Sequence, residues 1–154
     1  MAWSTSTGSS WCRSELSEGL EDRLYGVLAN RRWAQSVAEG VFQAAAEAMD
    51  RLTDEEWLEA VQGHPRIGER GGAASQREQS RAMQSGRETL ANLAADNRRY
   101  EEKFGHVFLI AASGRSAGEI LAELRRRMNN DATTELEEAK RELRTIVRLR
   151  LEKL

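Results

Sequence analysis

The chain has 154 residues, 40% hydrophobic and 31% charged, enough for one domain that buries its own core and too few for several. Lys plus Arg at 23 against Asp plus Glu at 25 leaves a net charge of −2, so no overall field draws it to nucleic acid or to an anionic membrane. One cysteine excludes an internal disulfide framework, two histidines exclude a His-rich metal cluster, and no apolar run approaches the ~20 residues of a membrane span.

The first residues, Met1 to Ser10, are rich in Ser and Thr and lack the charged start and apolar stretch of a secretory leader. Residues 1–17 are therefore expected to form a disordered arm, and 18–154 a single helical domain. The chain closes on Glu152-Lys153-Leu154, which has Glu where a Ser-Lys-Leu peroxisomal address has Ser, so a reducing cytoplasm is the expected setting.

A single proline and few β-branched runs predict an all-α, single-domain, compact helical bundle of about six to eight helices. Leu20, Leu24, Val27 and Leu28 recur at helical spacing, and a second stripe runs through Trp33, Val37, Val41, Ala45, Ala48 and Met49. Thr53-Asp54-Glu55-Glu56 reads as a capping box opening a short helix around Trp57 and Val61. Gln62 to Gly72 holds four glycines and the proline, and is predicted as a loop. Ser75-Gln76-Arg77-Glu78 is a second capping box, predicted to start a long polar helix through Met83, Leu90 and Tyr100 to a stop at Phe104-Gly105. Val107 to Ala112 is the most apolar stretch, and its pattern fits a buried strand and a helix start equally. Ser116-Ala117-Gly118-Glu119 is a third capping box. Asn129-Asn130-Asp131 is a predicted turn, after which Thr134 caps the final helix.

Four places depart from plain helix surface. Pro65 fixes the backbone beside His64 and pushes the histidine towards extended geometry; a rigidly held imidazole suits proton transfer, and an idle surface histidine fits the same sequence. Glu78 is the third residue of its capping box, and the same helix start also offers free amides to an anionic ligand. Ser113-Gly114-Arg115-Ser116 lets a ligand approach backbone groups, or is simply a tight turn into a capped helix. Arg150 falls on the stripe of Leu136, Ala139, Leu143, Ile146, Val147 and Leu154, where a guanidinium needs a carboxylate partner; alternatively Arg148 and Arg150 flank a rotated stripe.

Taken in order, His64-Pro65-Arg66-Ile67-Gly68, Ser75-x-x-Glu78-Gln79, Tyr100-x-x-Lys103-Phe104-Gly105-x-x-Phe108-x-Ile110, Ser113-Gly114-Arg115-Ser116 and Leu149-Arg150-Leu151 resemble the 2-oxo-4-hydroxy-4-carboxy-5-ureidoimidazoline (OHCU) decarboxylases of urate breakdown. The resemblance runs from about Leu20 to Leu154. It implies an all-helical, cofactor-free and metal-free homodimer that converts OHCU stereoselectively to (S)-allantoin and CO₂. By the same resemblance His64 is the general acid/base and Glu78 the essential glutamate. Pro65, Ser75, Gln76, Arg77 and Gln79 would line the substrate pocket, Ile110, Ala111, Ala112, Ser113 and Gly114 would supply main-chain contacts, and Arg150 is the C-terminal arginine. Arg81 and His106 depart from the family pattern, which has a small residue and an aromatic there. The expected partner is a small ureidoimidazoline, with no nucleic acid and no membrane. Two rivals make different demands. A helical protein-interaction module predicts an apolar groove without convergent polar groups, and a metal hydrolase built on His64, His106 and Glu78 lacks the i, i+4 spacing of a helical zinc pair.

Overall fold

The computed structural model describes residues 18–67, 80 and 86–154. These form six helices: α1 (Glu18–Leu28), α2 (Arg31–Asp50), α3 (Asp54–Gln62), α4 (Arg87–Phe104), α5 (Ala117–Arg127) and α6 (Ala132–Glu152). No strand occurs among the described residues, so the chain is all-α as predicted. The expected arm at 1–17, most of the glycine-rich loop beyond Ile67 and the Ser75 capping box lie outside the described residues.

Local chemistry sets the helix ends. Asn30 accepts the Trp33 amide at 2.9 Å to start α2. Thr53 and Glu56 close the predicted capping box of α3, and Ser116 and Glu119 that of α5. Gly105, at φ 76°, stops α4 in the left-handed conformation that a residue without Cβ adopts cheaply. Two predicted boundaries are corrected. No helix runs unbroken from Ser75 to Phe104, because Gly86 is extended (φ −62°, ψ 155°) and α4 begins only at Arg87. The last helix is capped by Asp131 rather than Thr134: the Asp131 carboxylate takes both the amide and the hydroxyl of Thr134 at 2.8 Å.

Two stripes are also rotated. On α2 the buried positions are Ala34, Ala38 and Phe42, of which the two alanines let α1 approach closely, while Val37, Val41, Ala45 and Met49 are only half-buried and Ala48 is exposed. On α1 Leu20 is buried, yet Val27 and Leu28 stand 75% and 55% exposed.

The core falls into three clusters. One joins Ile67, Leu93 and Tyr100 to Ile120 and Leu124; a second joins Trp57 and Val61 to Ala139, Leu143 and Ile146; a third joins Leu20, Ala38 and Phe42 to Leu151. The apolar stretch 107–112 is neither helix nor ladder-paired strand. Phe108, Ile110 and Ala112 enter the first cluster, while Val107, Leu109 and Ala111 enter the second, so successive side chains alternate between the two. This extended segment is a wedge between two helical layers. Lacking a neighbouring strand, it must satisfy its backbone in other ways.

A buried ionic network meets part of that need. Arg127 and Glu135, both 0% exposed, pair at 2.5 Å. Arg127 also donates to the Leu109 carbonyl at 2.8 Å and stacks over the Phe108 ring at 4.7 Å, and Tyr100 donates to the same Glu135 carboxylate. Desolvation alone would lower Arg127; the bonds and charge of Glu135 outweigh it and hold the guanidinium above its ordinary value. Burial and then the bond to Glu135 push the Tyr100 phenol up, so it stays a donor at any physiological pH.

At the surface, Glu138 shows how acid should weaken the fold. The bonds from Arg126 hold its carboxyl down at about 2 against the opposing effect of burial, with Asn130 assisting. A folded-state value below the ordinary 4.5 means stabilisation that is complete above 4.5 and lost as pH falls through about 2. Arg126 is 51% exposed, so screening limits the contribution to below ~1 kcal/mol. Glu138→Gln should accordingly be less stable than the parent at pH 7, and thermal melts should show the difference closing between pH 5 and pH 2. A difference independent of pH would contradict this account.

Candidate active site

His64 follows directly on α3. Its amide donates to the Val61 carbonyl at 3.1 Å, continuing the helical turn, and Pro65 then directs the chain away from α3. The ring Nδ1 lies 2.8 Å from the Ala60 carbonyl. A carbonyl only accepts, so Nδ1 carries the hydrogen and the neutral ring keeps its lone pair on Nε2. The half-buried imidazole is thus held in one tautomer, with the basic nitrogen on the side away from α3.

Three contacts fasten the loop that carries His64 to α4. Arg66 forms a two-point pair with Glu101 at 2.5 and 2.8 Å, which holds the Glu101 carboxyl below its ordinary value. Asn97, itself buried, donates to the Ile67 carbonyl at 3.3 Å, and Ile67 packs into the first core cluster. The histidine therefore adjoins residues 66–67, which are anchored to α4.

The stretch Ile110 to Gly114 leaves the core by degrees. Ile110 and Ala112 are buried, Ala111 is half-buried, and Ser113 and Gly114 are exposed, with Gly114 at φ 76° turning the chain towards α5. The Arg115 amide closes this turn on the Ala112 carbonyl at 3.0 Å. The Ser113–Ser116 stretch is a tight turn into a capped helix, as one of its two readings has it.

Arg150 is half-buried near the end of α6, one turn beyond Ile146. Ala60, whose carbonyl holds His64, packs with Ala111 against the cluster that contains Ile146, with Val147 alongside. The helix end that holds His64, the apolar wedge and α6 thus all pack against the second cluster, through Ala60, Ala111 and Val147. The stripe on α6 is less one-sided than its spacing predicts. Arg148 is also half-buried and pairs with Glu152 at 3.2 Å, and Leu154 is 68% exposed.

Glu78, with Ser75, Gln76, Arg77 and Gln79, lies outside the described residues, as does Arg81. His106 belongs to the core: it is 5% exposed, its Nδ1 is 3.1 Å from the Val107 carbonyl, and its ring meets Tyr100 edge-on with centroids 5.6 Å apart. That setting fills the place of an aromatic side chain and is unlike a catalytic one. Among the described residues no three His, Cys, Asp or Glu side chains gather as metal ligands, and no helix is long and apolar enough to cross a membrane.

Two charged residues near the site escaped the sequence reading. Glu142 accepts the Ala111 amide at 2.8 Å, and Arg127 holds the Leu109 carbonyl. For Glu142 the signal was present in the spacing. Positions 135, 139, 142, 146 and 150 follow one helical face, and three of them are charged.

The chain is 34% identical over 125 residues to the "Uric acid degradation bifunctional protein TTL" of Arabidopsis thaliana, covering 75% of this chain and 39% of that protein. The chain thus spans well under half of that bifunctional relative. It is 31% identical over 137 residues to the "2-oxo-4-hydroxy-4-carboxy-5-ureidoimidazoline decarboxylase" of Halalkalicoccus jeotgali, covering 82% of this chain and 76% of that one. The solved structure of an OHCU decarboxylase in the presence of (S)-allantoin superposes with a TM-score of 0.69 at 30% identity, covering 86% of this chain and 96% of that chain. The OHCU decarboxylase family matches residues 17–152, nearly the whole of the helical domain. The chain belongs to the OHCU decarboxylase family.

Proposed function

We propose that this chain decarboxylates OHCU to (S)-allantoin and CO₂, with His64 as the general acid/base. The observation that carries the reading is the Nδ1 bond from His64 to the Ala60 carbonyl, which leaves Nε2 as a base on a rigid mount. The substrate carbon that bears the carboxylate also bears a hydroxyl and adjoins a C=N bond. As the C–CO₂ bond breaks, its electron pair forms a double bond to the neighbouring ring carbon, and the C=N pair moves onto nitrogen. No metal or pyridoxal is required as electron sink. The ring nitrogen that received the pair takes a proton from solvent, which gives the enol. The enol then takes one proton at the neighbouring carbon and gives up its hydroxyl proton, and His64 serves these last two transfers. Uncatalysed decay yields the racemate, so delivery to one face is much of the task.

Glu78 is assigned to accept the ureido N–H groups, with Pro65, Ser75, Gln76, Arg77 and Gln79 around it. Ile110, Ala111, Ala112, Ser113 and Gly114 are assigned to main-chain contacts with the substrate. Arg150 is assigned to orient Glu78 or the leaving carboxylate. Residues 18–154 are read as one catalytic domain acting as a homodimer in the cytoplasm. The exposed Val27 and Leu28 supply an apolar face for the dimer, and the single cysteine suits a reducing compartment.

The test generates OHCU in situ from urate and follows the chirality of the allantoin by circular dichroism. The expected result is accelerated, optically active (S)-allantoin. A racemic product at the uncatalysed rate would overturn the reading.

A further inference from the structure

The wedge at 107–112 offers a ligand only hydrocarbon side chains and backbone. What it presents therefore depends on how its peptide planes are turned, and the two planes flanking Ile110 are each held by a charged side chain. Arg127 grips the Leu109 carbonyl, and Glu142 grips the Ala111 amide, both at 2.8 Å. No cis peptide occurs among the described residues, and in a planar trans peptide C=O and N–H point in opposite directions. The Ile110 N–H therefore points away from Arg127, and the Ile110 carbonyl points away from Glu142. Among the described residues no hydrogen bond engages either group of Ile110. Unpaired buried backbone groups are uncommon and call for an explanation. A donor and an acceptor on one residue match an –NH–CO– unit, which the ureido arm and the ring of the proposed substrate both contain.

We propose that Glu142 is a positioning residue for substrate binding: through the Ala111 amide it sets the backbone edge, from Ile110 towards Gly114, that receives the –NH–CO– groups of the substrate. The assignment rests on the decarboxylase reading above. Glu142 acts through that edge, remote from the reacting carbon, so its loss should weaken ground and transition states alike.

The measurement is steady-state kinetics with OHCU on the full chain. Glu142→Ala should raise KM roughly tenfold with kcat within about twofold of the parent and the pH profile of kcat unmoved. Glu142→Gln, whose amide oxygen still accepts the Ala111 N–H, should stay within about threefold of the parent KM. Glu142→Asp keeps the charge but shortens the reach; it should fold and raise KM about as much as expected for alanine, so it carries the test if the alanine variant fails to fold. A parental KM in Glu142→Ala or Glu142→Asp overturns the assignment, as does a loss confined to kcat. A parent protein inert towards OHCU overturns the decarboxylase reading first and this assignment with it, so the two failures are told apart.

Discussion

His64→Asn should fold and melt like the parent while losing between ~10² and ~10⁴ of the rate of (S)-allantoin formation, the cost typical of removing a positioned acid/base. The expectation of a sound fold comes from the anchor. The asparagine amide can still donate to the Ala60 carbonyl, and the Arg66–Glu101 and Asn97–Ile67 contacts that hold the loop do not involve the ring. What disappears is the nitrogen that takes and returns the proton. Residual turnover should lose optical purity along with rate, because an unguided proton reaches either face. His106→Phe is the control: the buried ring is replaced by another that keeps the stacking on Tyr100 and Phe104, and only the bond to the Val107 carbonyl goes. That variant should remain largely active. Parental rates from His64→Asn would remove His64 from the chemistry.

How far the sequence foretold this arrangement differs from element to element. Capping boxes at Thr53 and Ser116 were legible because they depend on three or four consecutive residues and on backbone groups that every helix leaves unpaired. The α4 start was not. Ser75-x-x-Glu78 carries a helix-opening pattern, yet local propensity cannot say whether the chain passes through Gly86 as helix or breaks there. The wedge was undecidable for a related reason: six apolar residues carry no periodicity until it is known that both faces are covered. The alternation between two clusters that makes 107–112 extended is a tertiary fact.

The site divides along the same line. His64 was visible because proline beside histidine is a local restraint, whereas the tautomer that would suit it to proton transfer depends on a carbonyl one helical turn back. Arg150 drew attention as a charge on an apolar stripe. Glu135 and Glu142 lie on the same helical face and passed unnoticed, since glutamate on a helix usually reads as solvated surface. In the structure the buried Arg127 answers Glu135, and the backbone of the wedge answers both Arg127 and Glu142. An extended segment lodged between helices without a strand beside it creates that demand for buried charge, and composition gives no hint of it.

Arg150→Lys tests whether the last helix contributes a shape or only a charge. A guanidinium offers a planar fork that grips a carboxylate through two bonds, and an ammonium offers a point charge on a shorter, more strongly hydrated head. If Arg150 orients Glu78 or the leaving carboxylate, lysine should keep most of the stability and lose roughly 10²–10³ in kcat, comparable to removing a preorganised donor from a transition-state site. The control must come from the same helix and be free of the stripe. Arg148 is unsuitable, because it is half-buried and bound to Glu152. Arg141 is exposed, and Arg141→Lys should change neither melting temperature nor turnover. Rates for Arg150→Lys equal to those for Arg141→Lys would show that α6 supplies packing and the Glu142 contact, and that the carboxylate is held from elsewhere. A large loss in kcat with an unmoved KM would instead mark Arg150 as acting when the C–CO₂ bond breaks, the converse of the KM effect expected at Glu142 eight residues earlier on the same face.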